Sequence, residues 1–227
     1  MTSPLGHRTP TAAILSRAPR EGTPRRCGLL GSRATGRLDI GEAAPLFVCD
    51  AGYDPIALTV DLADLPVAVL VRIRGDRVFY AAPAARGPGQ LGRPRRHGAR
   101  FCCADPASWP PPEHTLTIND DQYGRVAVAA WAGLHPKLAG RGRWTDHPEP
   151  PIVPGTVIQV QVEHLPGPRG RAVKTLWLWW AGLGTPDLDL CWRPYIRRFD
   201  LESLRRSWPG GRLGAENRAP CRRGRPS

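Results

Sequence analysis

The chain has 227 residues, 41% of them hydrophobic, with a formal net charge of +12 and a pI near 10.4. This length suits one large domain or a core with an insertion, and no apolar run approaches the roughly 20 residues that cross a bilayer. Thirty of the 32 basic residues are arginines, whose forked guanidinium grips phosphate and suits a nucleic-acid partner, although a GC-rich genome also produces an Arg-, Ala-, Gly- and Pro-rich chain.

Residues 1–43 are rich in Arg, Gly, Pro, Thr and Ser. They show no sustained period, which predicts a disordered or foreign segment. There is no sustained apolar stretch of a signal peptide in it. Order is expected from residue 44. Pro45-Leu46-Phe47-Val48-Cys49 reads as a buried strand, followed by Asp50-Ala51-Gly52-Tyr53-Asp54-Pro55. Asp54 suits a helix N-cap with Pro55 in the first turn, which leaves Asp50 at a strand end with either a local or a chemical role. Ile56 to Leu65 reads as a short helix and Val67 to Arg74 as a second buried strand that turns polar at its end. Strand, helix and strand within roughly 30 residues form a parallel βαβ unit.

Arg77 to Tyr80 predicts a short returning strand. An Arg/Gly/Pro loop follows, with Arg93, Arg95, Arg96 and His97 as a dense basic cluster. It suits phosphate contact and solvent equally well. From about residue 99 to 164 the pattern is β-rich: Ala99 to Cys103, Thr115 to Ile118, a turn at 119–124, and Arg125 to Trp131. In Thr156 to Glu163, Ile158, Val160 and Val162 alternate with Gln159, Gln161 and Glu163, predicting one buried and one polar face. Val173 to Trp180 is a strongly aromatic strand.

A helix is expected over residues 194–207, with Asp187 able to cap and Pro194 near its start. On it Tyr195, Arg198 and Glu202 share one face at i, i+3 and i+7. By spacing alone this is either a site or a solvated face carrying an i,i+4 ion pair. Pro209-Gly210-Gly211 ends the pattern. The six cysteines include no CxxC pair, which reads as reduced thiols in a cytoplasmic protein. His97, Cys102, Cys103 and His114 fit no common zinc spacing.

Tyr195, Arg198 and Glu202 together resemble the Y-(2)-R-(3)-E part of the signature of bacterial insertion-sequence transposases of the DDE type. The wording of residues 45–74, of Leu176 to Trp180 and of Asp187 to Arg193 resembles actinobacterial members. Asp50 resembles the family's second acidic residue, at the end of the fourth strand of an RNase H-like core. The resemblance therefore implies an α/β fold: a partial RNase H-like core at 44–76, a large β-rich insertion at 77–172, and a final strand with the glutamate-bearing helix at 173–208. The 152 residues from Asp50 to Glu202 exceed what a direct strand-to-helix link needs. It further implies DNA cleavage and strand transfer in transposition. Asp50 and Glu202 would be catalytic ligands of Mg²⁺ or Mn²⁺. Tyr195 and Arg198 would contact DNA, as the loop residues Arg93, Arg95 and Arg96 would. The partners implied are transposon-end DNA and a second copy of the chain, in the cytoplasm at the nucleoid and away from membranes.

Two features depart from the family. A first aspartate on an upstream strand is not found, since Asp39 lies only 11 residues before Asp50 in a segment without strand pattern. The lysine expected after six intervening residues beyond the glutamate is replaced by Pro209. These departures lead to the expectation of a fragment truncated at both ends, with 209–227 a disordered or frameshifted tail and no catalytic competence. A basic nucleic-acid-binding protein without catalysis, or an unfolded pseudogene product, are the other readings.

Overall fold

Runs of alternating and continuous apolar residues pair into one seven-stranded sheet. In the computed structural model the described residues are 12–15 (backbone only), 44–87, 89, 91–140, 142–164 and 174–196. The strands are β1 (Ala12–Leu15), β2 (Leu46–Cys49), β3 (Ala68–Ile73), β4 (Val78–Tyr80), β5 (Arg100–Cys102), β6 (His114–Asp120), β7 (Gly124–Leu134), β8 (Gly155–Val162) and β9 (Lys174–Ala181). The main sheet runs β1-β2-β3-β9-β8-β7-β6, and β4 and β5 form a separate antiparallel ribbon. Pairing is parallel from β1 to β3 and antiparallel from β3 to β6.

The βαβ unit is present as expected. Helix α1 (Pro55–Asp61) joins β2 to β3, and the Asp54 carboxylate accepts from the Ile56 and Ala57 amides at its start. Three expectations need correction. Strand β1 lies inside the segment read as structureless, parallel to β2. Its four residues, Ala-Ala-Ile-Leu, are too short a run to show a period, and only pairing with β2 reveals them. The terminal helix, α2, begins at residue 188 and is described to 196, not from 194. Asp187 caps it, accepting from the Asp189 and Leu190 amides, so Pro194 falls inside a helix that a sharper N-cap had already started. Gln159, expected on a polar face, is 8% exposed, because both faces of the central sheet are covered.

One face carries Leu46, Val48, Leu70, Leu178, Ile158, Val160 and Val128, packed under α2. Helix α2 contributes Leu188, Cys191, Trp192, Tyr195 and Ile196, the i, i+3, i+4, i+7, i+8 stripe of a helix with one buried side. The other face is split. Cys49, Val69 and Val71 pack with Leu58 of α1, while Trp177, Trp179 and Trp131 pack with Phe79 and Phe101 of the ribbon. Phe79 stacks on Trp179 with ring centroids 5.5 Å apart, and Phe101 meets Trp131 at 5.1 Å. Such pairs add about 0.5–1.5 kcal/mol each beyond area burial. Three indole N–H groups of this cluster are satisfied: Trp109 donates to the Cys102 carbonyl, Trp131 to that of Pro110, and Trp179 to the Thr59 hydroxyl. At residue 155 only glycine fits, since a Cβ there would lie 2.3 Å from the Trp179 ring.

The β-rich region is not set apart from the core strands. Strand β8 pairs with β9, and β9 pairs with β3, so β6, β7 and β8 extend the same sheet that holds β2.

Candidate active site

Asp50 stands one residue past β2, at the carboxyl end of a strand flanked by two parallel neighbours. The carboxyl ends of parallel strands in open α/β sheets are where ligands bind. The tight turn that follows is closed by the Tyr53 amide donating to the Asp50 carbonyl at 3.1 Å. The side-chain Oδ1 accepts from the Ala51 amide at 2.7 Å, which orients the carboxylate, and Asp50 is half-buried. The two aspartates of this turn thus divide their roles, with Asp54 capping α1 and Asp50 at the strand end.

The register that pairs Cys49 with Val71 brings Asp50 level with Arg72. Arg72 is half-buried and opposite Leu178 of β9, on the sheet face that α2 covers. Beyond it Arg74 is exposed and paired with Asp76 at 2.7 Å. Ala51, Arg72, Ile73, Arg74, Gly75 and Asp76 line an open depression of about 560 Å³ beside Asp50. The two arginines are the polar end of the second strand expected from the sequence.

Strand β1 is an upstream strand parallel to β2, yet Ala12–Leu15 carries no carboxylate. Among the described residues no three His, Cys, Asp or Glu side chains cluster as a metal site. Asp50 has the oxygen chemistry a hard cation takes, but one carboxylate does not make such a site. Glu202 and Arg198 lie outside the described residues. Tyr195, expected to contact DNA, is 1% exposed within the main core. The α2 face it shares is the apolar one, so its ring serves packing and is not presented to phosphate.

The basic loop is partly neutralised. Arg93 is ion-paired with Glu149, and Arg96 donates to the Pro150 carbonyl at 2.7 Å and lies 3.8 Å from Glu149. Arg95 is exposed. His97 is tied down by His135, Nδ1 to Nε2 at 2.9 Å, and His135 is 1% exposed. Burial, then Lys137 and Arg96, lower the His97 pKa, while burial, then His97 and Arg96, lower that of His135. His135 had no sequence signal, because a lone histidine at a strand end looks like any other.

Other ionisable groups are absorbed by packing. Arg193 of α2 donates to Asp189 at 2.8 Å and to Asp120, at the end of β6, at 3.0 Å, fastening the helix to the sheet edge. The four described cysteines form no disulfide and are buried. Burial pushes the thiols of Cys103 and Cys191 up to about 12, which makes them poor nucleophiles at neutral pH. Among the described residues no helix is long and apolar enough to cross a membrane.

Residues 34–137 match the DDE superfamily endonuclease family. The match spans a little under half the chain, runs from before β2 to just past β7, and includes Asp50, Arg72 and the basic loop. It supports a relationship to DDE-type endonucleases and transposases. No curated protein matches the chain.

Proposed function

We propose that the chain derives from a DDE-type transposase, whose chemistry is divalent-metal-dependent cleavage and transfer of DNA strands. The observation that carries this reading is Asp50 at the carboxyl end of β2, between parallel β1 and β3, inside the segment similar to DDE superfamily endonucleases. Strands β1, β2 and β3 with α1 would be the surviving part of an RNase H-like core. Helix α2, packed on the face level with Asp50, would lead toward Arg198 and Glu202, with Glu202 as the second carboxylate. The Y-R-E signature and the likeness to actinobacterial insertion sequences belong to this reading, as do transposon-end DNA, a second copy of the chain and a nucleoid location.

A bound Mg²⁺ or Mn²⁺ pair supplies activation of an attacking oxygen and stabilisation of a leaving one. This chain's contribution is narrower. Asp50 offers an oriented carboxylate, and the arginines beside it offer positive charge for the DNA backbone. Because β1 has Ala-Ala-Ile-Leu where the family would place its first aspartate, the chain by itself is proposed to be inactive in strand cleavage.

The test is a supercoiled-plasmid nicking assay in Mg²⁺ and Mn²⁺, run beside calorimetric Mn²⁺ titration. The expected outcome is no nicking, and weak Mn²⁺ binding that Asp50→Asn abolishes without lowering thermal stability. Nicking that survives Asp50→Asn, or Mn²⁺ binding indifferent to it, overturns the reading.

A further inference from the structure

The main sheet ends in β6, whose outer edge has no strand beside it among the described residues. The pairing on its inner side decides which backbone groups face out. The Glu163 amide donates to the Arg125 carbonyl, so Arg125 turns its polar groups toward β8. Backbone groups alternate sides along an antiparallel strand. Val126, Val128 and Ala130 therefore bond toward β6, to their partners Ile118, Leu116 and His114. The N–H and C=O groups of Thr115, Thr117 and Asn119 are left pointing outward, and the side chains of these residues are exposed. Sheet edges are commonly blunted by a charge, a proline or a bulge. Between Thr115 and Asn119 there is no charged residue and no proline, and the register with β7 is unbroken from His114 opposite Ala130 to Asp120 opposite Gly124. The surroundings also differ from the rest of the chain. Residues 101–124 hold no lysine or arginine, in a protein of net charge +12. This edge therefore offers nothing to a nucleic-acid backbone, and two copies can meet there without opposing their arginines.

We propose that β6 is the contact between two copies of this chain, paired antiparallel about a two-fold axis through Thr117, so that one sheet continues into the other. In that register the strand is self-complementary, as a two-fold contact requires. Thr117 faces Thr117 and Thr115 faces Asn119, and each outward amide meets a carbonyl. On the face under α2, Leu116 of one copy lies against Ile118 of the other, at the positions where cross-strand side chains come closest. Both are half-buried at the margin of the main core, so pairing carries that core across the boundary. At the ends His114 meets Asp120, a ring donor opposite a carboxylate. Pro110, Pro111 and Pro112 before the strand and the turn at 121–123 after it confine the ladder to β6 itself. A second copy also belongs to the transposase reading, but this pairing rests on β6 alone and stands without that reading.

The experiment is sedimentation equilibrium of the full chain without DNA, from low to high micromolar concentration, beside Thr117→Lys and Thr117→Pro. Thr117 is exposed and its amide faces out, so neither change removes a bond to β7. The first sets two ammonium groups face to face on the axis, and the second deletes the central donor. The expected result is a reversible dimer for the parent chain, association weaker by about tenfold or more in Thr117→Lys, and no dimer in Thr117→Pro. The thermal midpoint of dilute Thr117→Lys should match that of the equally dilute parent. Register is read separately by mild oxidation, in a Cys27→Ser, Cys221→Ser background. Thr117→Cys should cross-link into a disulfide dimer, because facing residues of a hydrogen-bonded pair lie about 5.5 Å apart. Thr115→Cys, which faces Asn119, should not. This readout alters only an exposed side chain, so it decides the matter even where Thr117→Pro fails to fold. A parent chain that stays monomeric at every concentration overturns the proposal. So does a dimer indifferent to Thr117→Lys, or one that cross-links through Thr115→Cys as readily as through Thr117→Cys.

Discussion

The two halves of the sheet use similar strands to opposite ends. The parallel half, β1 to β3, is short-stranded, covered by the small helix α1, and finishes in Asp50, Arg72 and Arg74. The antiparallel half, β9 to β6, is longer-stranded and sandwiched between α2 and an aromatic cluster. In the antiparallel half some polar side chains link separate elements: Arg193 reaches from α2 to Asp120, and His97 is bonded to the buried His135. At the end of the parallel half Arg72, Arg74 and Asp76 line an open depression. Ion-rich composition alone therefore does not identify a binding surface. What matters is whether each ion closes a contact between elements.

Breaking the antiparallel half at its centre tests this contrast most severely. Trp179→Ala removes a side chain with no solvent exposure, its stack on Phe79 and its bond to Thr59. A loss of about 3–5 kcal/mol is expected in urea unfolding, and a loss below about 1 kcal/mol would mean that the aromatic cluster is not the structural centre of this half. Arg193→Ala should cost less, about 1–2 kcal/mol. It leaves Asp120 at 16% side-chain exposure without its cation, but Arg193 itself is a third exposed and solvent screens the pair. The same unfolding measurement checks it, with no change in DNA affinity expected.

The histidine pair sharpens the comparison through pH. Both pKa values are lowered in the folded state by burial and by neighbouring cations. The unfolded chain therefore binds protons first as pH falls, and stability, full above about pH 6.5, is lost as pH falls from there toward the lowered folded values. Each histidine contributes a slope of at most about 1.4 kcal/mol per pH unit. Unfolding curves measured from neutral to mildly acidic pH should flatten in His135→Gln, and an unchanged acid limb would refute the assignment. The smallest effect belongs to the parallel half. Asp54→Ala removes the α1 cap and should cost about 1 kcal/mol, read as a shift in thermal midpoint, while Asp50→Asn next to it leaves that midpoint in place.

Much of this was legible in the residues. The strands around Leu46, Val69, Val128, Val160 and Leu178 follow from apolar runs and period-two alternation, and Asp54 announced its cap through Pro55. Asp50 was legible as a strand-end carboxylate. Three things were not. Four apolar residues at 12–15 cannot show a period, so β1 needed its partner β2. Pro194 suits a first helical turn, yet α2 starts earlier because the Asp187 carboxylate accepts from the Asp189 and Leu190 amides. Tyr195 looked functional on a helical wheel drawn without knowing which side faced the sheet.

The sequence by itself determined the local elements, the positive charge and the chemical character of Asp50, because periodicity, caps and side-chain chemistry are properties of short stretches. Only the tertiary structure decided that Tyr195 is core, that His97 is tied to a buried His135, and that Arg72 and Arg74 gather beside Asp50. Those facts depend on which strands neighbour one another and in what register, and register is set by packing between residues far apart in the chain.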